Sequence, residues 1–285
     1  MHSLLKFTTF LTRTMQTFFP SRPAHGIWSA MKMVRTLHIH MTCVVKLPNG
    51  VRMSLNSQDG MQKTLMFYGT FQPAVANALK NHTAPHMYCL DIGANLGYFA
   101  LSFAQQVGSD GKVAAFEANP PLAAYLRTEA RRNAFANIQV LEDIMHEKSG
   151  EEIPFYISTN SGMSSAEHTH AGNVKEVLHK RTITVDDFIE AQRWKRLDVI
   201  KIDVEGVDCN VLLGAAKSLR AFTPFVIFEH HWNTNPETIA RTRTLFETLP
   251  YSLSILCPDG TTLPFTWERP ADFALEHVDV ICERV

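Results

Sequence analysis

The chain has 285 residues, 45% of them hydrophobic and 19% charged, which is enough apolar mass for one large α/β domain or two smaller ones. Its 27 basic and 28 acidic side chains leave a net charge of −1, which argues against bulk nucleic-acid binding. The five scattered cysteines show no C-x-x-C and no metal-ligand spacing, and they read as buried hydrophobes of a reducing compartment. No apolar run reaches the ~18 residues that a membrane-spanning helix needs.

The charge is spread unevenly. Lys6, Arg13, Arg22, Lys32, Arg35, Lys46 and Arg52 all precede Asp59, the first acid. Within this basic start, Leu4, Phe7, Leu11, Met15 and Phe18 fall at helical spacing. An acid-poor, threonine-rich amphipathic segment resembles an organelle transit peptide, and it also suits weak contact with a membrane surface. Two locations are therefore expected, cytoplasmic or organelle-targeted. Residues 1–40 are read as a basic extension, and 41–285 as one domain that begins with a hairpin and helix.

Val44–Leu47 and Val51–Leu55 flank Pro48-Asn49-Gly50, a strong hairpin signal. Residues 61–81 read as one or two helical pieces broken near Gly69 and Pro73. From there strands and helices alternate. Strands are expected at 88–92, 112–117, 138–141, 153–158, 198–203 and 225–229. Helices are expected at 97–106, 120–133, 185–191, 209–219 and 236–248, with Pro120 and Pro121 opening the second of these. The stretch between 158 and 185 reads as a polar loop containing Ser161-Gly-Met-Ser-Ser165, a substrate-side candidate. Residues 252–257, a Pro-Asp-Gly turn and 278–282 suggest a final antiparallel pair. Such βαβ alternation implies a mostly parallel sheet with helices on both faces.

In such sheets ligands bind beyond the carboxyl ends of the strands. The polar residues there are Asp91, Glu117, Glu142 or Asp143, Asp203 and Glu229-His230, an acid at each of five strand ends. Gly93-Ala-Asn-Leu-Gly97 follows the first strand, where two glycines permit a tight turn and close approach of a ligand, and Tyr98 opens the next helix. Glu117 lies 20 residues after Gly97, a separation that suits ribose hydroxyls. A dinucleotide fingerprint requires glycine where Asn95 stands, and no Gly-Lys-Ser/Thr follows, so a nicotinamide-dependent oxidoreductase and a P-loop are both disfavoured. The acids favour a nucleoside with a positive centre, S-adenosylmethionine.

Leu90-Asp-Ile-Gly-Ala-Asn-Leu-Gly-Tyr-Phe99, Phe116-Glu-Ala-Asn-Pro120, Ile183-Thr-Val-Asp-Asp-Phe188 and Val199-Ile-Lys-Ile-Asp-Val-Glu-Gly206 resemble the FkbM family of S-adenosylmethionine-dependent methyltransferases. The resemblance spans about residues 40–240, and the last block is its most diagnostic part. It implies a class I methyltransferase fold, with a Rossmann-like, mostly parallel seven-stranded sheet whose last strand is antiparallel. It also implies methylation of hydroxyls on small molecules or saccharides. On these residues, Asp91 with Gly93, Asn95, Gly97 and Tyr98 would hold the methionine end, Glu117 the ribose, and Asp143 with Ile144 the adenine edge. Asp203 would lie beside the methyl group. Asp203 and His230 are the candidates for base and orienter, with Glu229 beside them. Mg²⁺ on Asp203, Glu229 and His230 is a possible alternative but is not favoured, so no metal ligand is assigned. The rival from another class is a non-catalytic scaffold of the same fold, whose mark would be loss of the strand-end acids.

Overall fold

A computed structural model describes residues 41–158, 164–167, 173–270 and 275–285, and the chain divides into two compact units, 1–71 and 72–285. The amphipathic segment 4–19 and Ser161–Met163 lie outside the described residues.

In the first unit, β1 (Thr42–Lys46) and β2 (Arg52–Asn56) pair antiparallel, with Lys46 opposite Arg52. Leu47 N–H donates to Val51 O at 2.8 Å, and Gly50 N–H to Leu47 O at 2.9 Å. Pro48-Asn49-Gly50 is thus a three-residue loop whose last residue is left-handed, longer than a two-residue Asn-Gly turn. Helix α1 (Gly60–Tyr68) packs on β2; Asp59 caps its start by accepting from Gln62 N–H at 2.8 Å, and Gly69 closes its end.

The second unit opens with α2 (Pro73–His82), so the expected helical stretch is two helices divided between Gly69 and Pro73. It continues through β3 (Tyr88–Ile92), α3 (Tyr98–Val107), β4 (Lys112–Phe116), α4 (Pro120–Arg132) and β5 (Ile138–Leu141). Next come β6 (Ile144–Met145), β7 (Glu152–Ser158), β8 (Val174–Ile183) and α5 (Val185–Ala191). The chain ends with β9 (Val199–Ile202), α6 (Asp208–Leu213), α7 (Ala216–Phe222), β10 (Phe225–His231), α8 (Pro236–Glu247), β11 (Tyr251–Leu256), β12 (Thr262–Pro264) and β13 (His277–Arg284).

The main sheet runs β12-β11-β13-β10-β9-β3-β4-β5. Strands β5, β4, β3, β9 and β10 are mutually parallel, and β13 inserts antiparallel between β10 and β11. This is the Rossmann-like arrangement with an antiparallel last strand. The sheet has eight strands instead of seven because the Pro258-Asp259-Gly260 turn folds β12 back onto β11. Two further details differ from expectation. The helix expected over 209–219 is two helices, α6 and α7, and the polar stretch before α5 contains the ten-residue strand β8. Lys175, Glu176, His179, Lys180 and Arg181 obscure the alternation of β8, which pairs with β7 and β6 in a separate three-stranded sheet.

Strand alternation gives the main sheet two different faces. Leu90, Ile92, Ile200, Ile202, Val226, Phe228, Val278 and Val280 belong to a large core completed by side chains of α5 to α8. On the other face, His82 of α2 stacks on Phe225 and Phe99 of α3 lies against Lys201. The carboxyl end of this second face carries the polar residues described next.

Candidate active site

The sheet order reverses between β3 and β9, both of which feed the same crevice. Gly93 and Ala94 donate their N–H groups to Phe116 O at 2.9 Å, which ties the loop after β3 to the end of β4. Gly93 has φ +79°, and a Cβ built on it would lie 1.8 Å from Asp203 O. At Gly97, φ +82°, a Cβ would lie 2.0 Å from Leu126 Cδ1 of α4. Both glycines therefore serve close approach of the chain to itself, a different role from the expected one of clearing space for a ligand.

Glu117 is buried at the end of β4. Its Oε2 accepts from Asn95 N–H at 2.6 Å and its Oε1 from Asn119 N–H at 2.9 Å. Burial pushes its pKa up to about 7, despite those two amides. The side-chain oxygens of Asn95 and Asn119 are buried and have no hydrogen-bond partner among the described residues. Both asparagines thus bring their main-chain N–H groups to Glu117 while their own side-chain oxygens lack donors among the described residues.

Asp91 and Lys201 are opposite one another in the β3–β9 register and both are buried. Lys201 Nζ lies 3.6 Å from Asp91 Oδ1, 3.2 Å from Asp203 Oδ2 and 5.0 Å from the Phe99 ring centroid. Burial works against the lysine charge, but the carboxylates of Asp203 and Asp91 outweigh it and hold its pKa above the ordinary value. Burial likewise raises the pKa of Asp91, against the pull of Lys201. The Asp91 side chain is 0% exposed and that of Asp203 is 27% exposed, so of these two acids Asp203 is the one open to the crevice.

The same face continues onto β10 and β13, where Glu229 opposes Asp279 and His231 opposes His277. Glu229 Oε2 is 2.7 Å from His231 Nε2, and its Oε1 is 3.3 Å from His277 Nε2. Burial would raise the Glu229 pKa, but the two histidines hold it below the ordinary value. Around this group burial lifts Glu205 to about 8 and Asp279 to about 7, in each case aided by Asp203 and Glu229. Asp208 is pushed well up by burial, with Glu229 and Asp203 adding to it. The crevice therefore gathers many carboxyl groups around Lys201, and burial keeps several of them protonated near neutral pH.

His230, by contrast, sits elsewhere. His230 points to the opposite face from Glu229. It is 0% exposed among the rings of Trp232, Phe265 and Trp267, with Nε2 3.3 Å from Trp267 O, and burial lowers its pKa to about 4. The structure thus brings His231, and not His230, to Glu229, and the trio Asp203, Glu229 and His230 is not assembled. Glu142 is engaged by Arg127 at 2.7 Å and Lys180 at 3.2 Å. Ile144 packs with Phe155 and Ile157 in a small apolar cluster, while Asp143 is half-buried. Tyr98 is buried at the start of α3. Of the serine segment, Ser164 and Ser165 are described: Ser164 Oγ accepts from Ser158 N–H at 3.1 Å, and Ser165 Oγ donates to Glu205 O at 2.8 Å, which anchors this connection beside the end of β9.

Lys201, His231, His277 and Asp279 were absent from the sequence-derived set. Period-two alternation from Glu229 selects His231 directly, and Lys201 stands inside the Ile-Lys-Ile-Asp block. The pairing of His277 and Asp279 with β10 depends on strand order.

Comparison with known proteins places the chain in a family. Residues 91–253 match the family described as the methyltransferase FkbM domain. The hexuronic acid methyltransferase AglP of Haloferax volcanii is 28% identical over 151 residues, which are 53% of this chain and 59% of that protein. Among solved structures, the methyltransferase FkbM from Methylobacillus flagellatus superposes with a TM-score of 0.45 at 13% identity, covering 78% of this chain and 52% of that one. The tRNA (uracil-54, C5)-methyltransferase of Pyrococcus abyssi, solved with S-adenosyl-L-homocysteine, gives 0.40 at 15% identity over 86% and 44% of the two chains. The chain thus spans a little over half the length of the curated relative.

Proposed function

The chain belongs to the FkbM methyltransferase family, and from that premise we propose that it uses S-adenosylmethionine to methylate a hydroxyl group of a saccharide or related small molecule. The observation that carries the cofactor reading is the cluster of acceptors around Glu117, set beside an acid-rich crevice. A ribose diol supplies donors to this cluster, and a sulfonium suits a crevice lined by carboxyl oxygens. When bound, S-adenosylmethionine supplies an electrophilic methyl carbon.

In this reading Glu117 accepts from the ribose and Asp143 from the adenine amino group. Ile144 contributes packing, since its side chain is committed to the cluster with Phe155 and Ile157. Asp91 does not touch the ligand. It fixes Lys201, which in turn holds Asp203 at the mouth of the crevice. Asp203 then faces the methyl-donor end and accepts the proton of the acceptor hydroxyl, while Glu229 and His231 orient that hydroxyl for in-line attack. The saccharide class is supported by the curated relative, a hexuronic acid methyltransferase.

Methyl-labelled S-adenosylmethionine, offered with uronic-acid saccharides and with a fractionated extract, tests this directly. Label should enter a base-stable methyl ether. A base-labile ester would move the acceptor atom to a carboxylate, and no transfer together with no cofactor binding by calorimetry would remove the reading. Asp203→Asn should bind the cofactor and lose turnover.

A further inference from the structure

The β10–β13 ladder places three metal-type donors on one face from three fixed positions. His231 and His277 are direct cross-strand neighbours with ring centroids 5.0 Å apart, and Glu229 lies two residues back on the His231 strand. Each Glu229 oxygen approaches one histidine, at 2.7 Å and 3.3 Å, and the three donor atoms all lie within 4.8 Å of one another. We propose that Glu229, His231 and His277 bind a divalent transition metal of the zinc class.

The spacing suits this cation. Zinc–ligand bonds of about 2.0–2.2 Å put the donors of a tetrahedral shell roughly 3.3–3.6 Å apart, so small side-chain rotations open the Glu–His contacts around an ion. Two imidazoles and one carboxylate select zinc, cobalt or iron over magnesium, which prefers an all-oxygen shell. A hydrogen-bonded Glu229–His231 pair alone would not require a second nitrogen donor from another strand. His277 supplies it, and with 54% of its side chain exposed it leaves the ion an entry path. Three protein ligands leave a fourth position open, the arrangement of catalytic rather than structural zinc.

The use of that position rests on the methyl-transfer reading above. An acceptor hydroxyl ligated there would lose its proton nearer neutral pH, with Asp203, on the adjoining strand, as the proton's destination. The ion is not consumed and no electron moves.

The test reads binding without cofactor or acceptor. The full chain is stripped with chelator, then titrated with Zn²⁺ by calorimetry and with Co²⁺ by visible absorption. One ion per chain is expected, with the intense cobalt bands of a four- or five-coordinate site. His277→Ala should weaken binding by more than the roughly 10–100-fold that loss of an outer partner costs, and Glu229→Gln likewise. Its exposed position keeps the fold of His277→Ala intact, which circular dichroism checks. Cys257→Ser should leave binding unchanged, which excludes a thiol site. No saturable binding in the wild type, or equal affinity in the wild type and His277→Ala, overturns the proposal. Intact metal binding in a chain that transfers no methyl group would instead count against the function reading alone.

Discussion

On the β3–β4 side of the crevice, main-chain amides hold the acid: Glu117 accepts from Asn95 and Asn119, and the Gly93 loop is bonded to Phe116 O. On the β9–β10–β13 side, other side chains hold the acids: Lys201 of β9 holds Asp203 and reaches across to Asp91 of β3, and Glu229 is flanked by His231 and His277. The first kind of site is local in sequence and tolerant of the identity of its neighbours. The second depends on particular side chains delivered by three separate strands, and on the charge balance among them. This suits a cofactor half that is generic and an acceptor half that individual residues can retune.

Lys201 offers the largest test of this contrast. Lys201→Met removes a buried cation from between two carboxylates and leaves Asp91 uncompensated at 0% exposure, which should cost about 3–5 kcal/mol in urea unfolding. Adding Asp91→Asn should recover part of it. A loss below about 1 kcal/mol would show that Asp91 is already neutral and that the pair is not what organises this side.

A smaller effect separates two adjacent residues. His230→Ala empties a site lined by Trp232, Phe265 and Trp267 and should cost about 2–4 kcal/mol, with the methyl-transfer rate of the remaining folded protein little changed. His231→Ala should cost about 1.5 kcal/mol, for one charge-assisted hydrogen bond, and should lower turnover. The reverse pattern would restore His230 to the acceptor site.

The same pair shows what the sequence alone could and could not reveal. Strand ends and the Gly93–Gly97 turn were legible because apolar runs stop at acids and glycines, and most element boundaries fall within a residue or two of those expected. The choice between His230 and His231 was also available, since a strand turns every second side chain to the same face. His277 was not available, because an antiparallel strand inserted between β10 and β11 leaves no local signal of its neighbour. Strand β8 was missed for a different reason: on a sheet exposed on one face and edged by charge, polar residues occupy positions that alternation would assign to apolar ones. Lys201 was visible but read as part of a motif, since a lysine at the centre of a buried strand makes sense only once two acids are seen around it.

Glu117 provides the finest distinction between the two halves. In Glu117→Gln one amide must face a main-chain N–H, and S-adenosylmethionine affinity should fall about 10–100-fold, the worth of one or two hydrogen bonds to a charged acceptor. The pH dependence then separates the halves. Burial raises the Glu117 pKa from 4.5 to about 7, so the folded chain holds this proton more tightly than the unfolded one. Its contribution to stability is fully present below pH 4.5 and is lost as the pH rises through about 7; Glu117→Gln should flatten that part of the melting-temperature profile. A ligand that donates to the carboxylate favours its charged form, so cofactor affinity should rise with pH up to about 7 and release a proton on binding, measurable by calorimetry in buffers of different ionisation enthalpy. Glu229, held below its ordinary pKa by His231 and His277, has no such proton to release in this range. An affinity that stays flat as the pH crosses 7, with no proton release, would mean that the cofactor does not engage Glu117, and the assignment of the β3–β4 half to the ribose would fall with it.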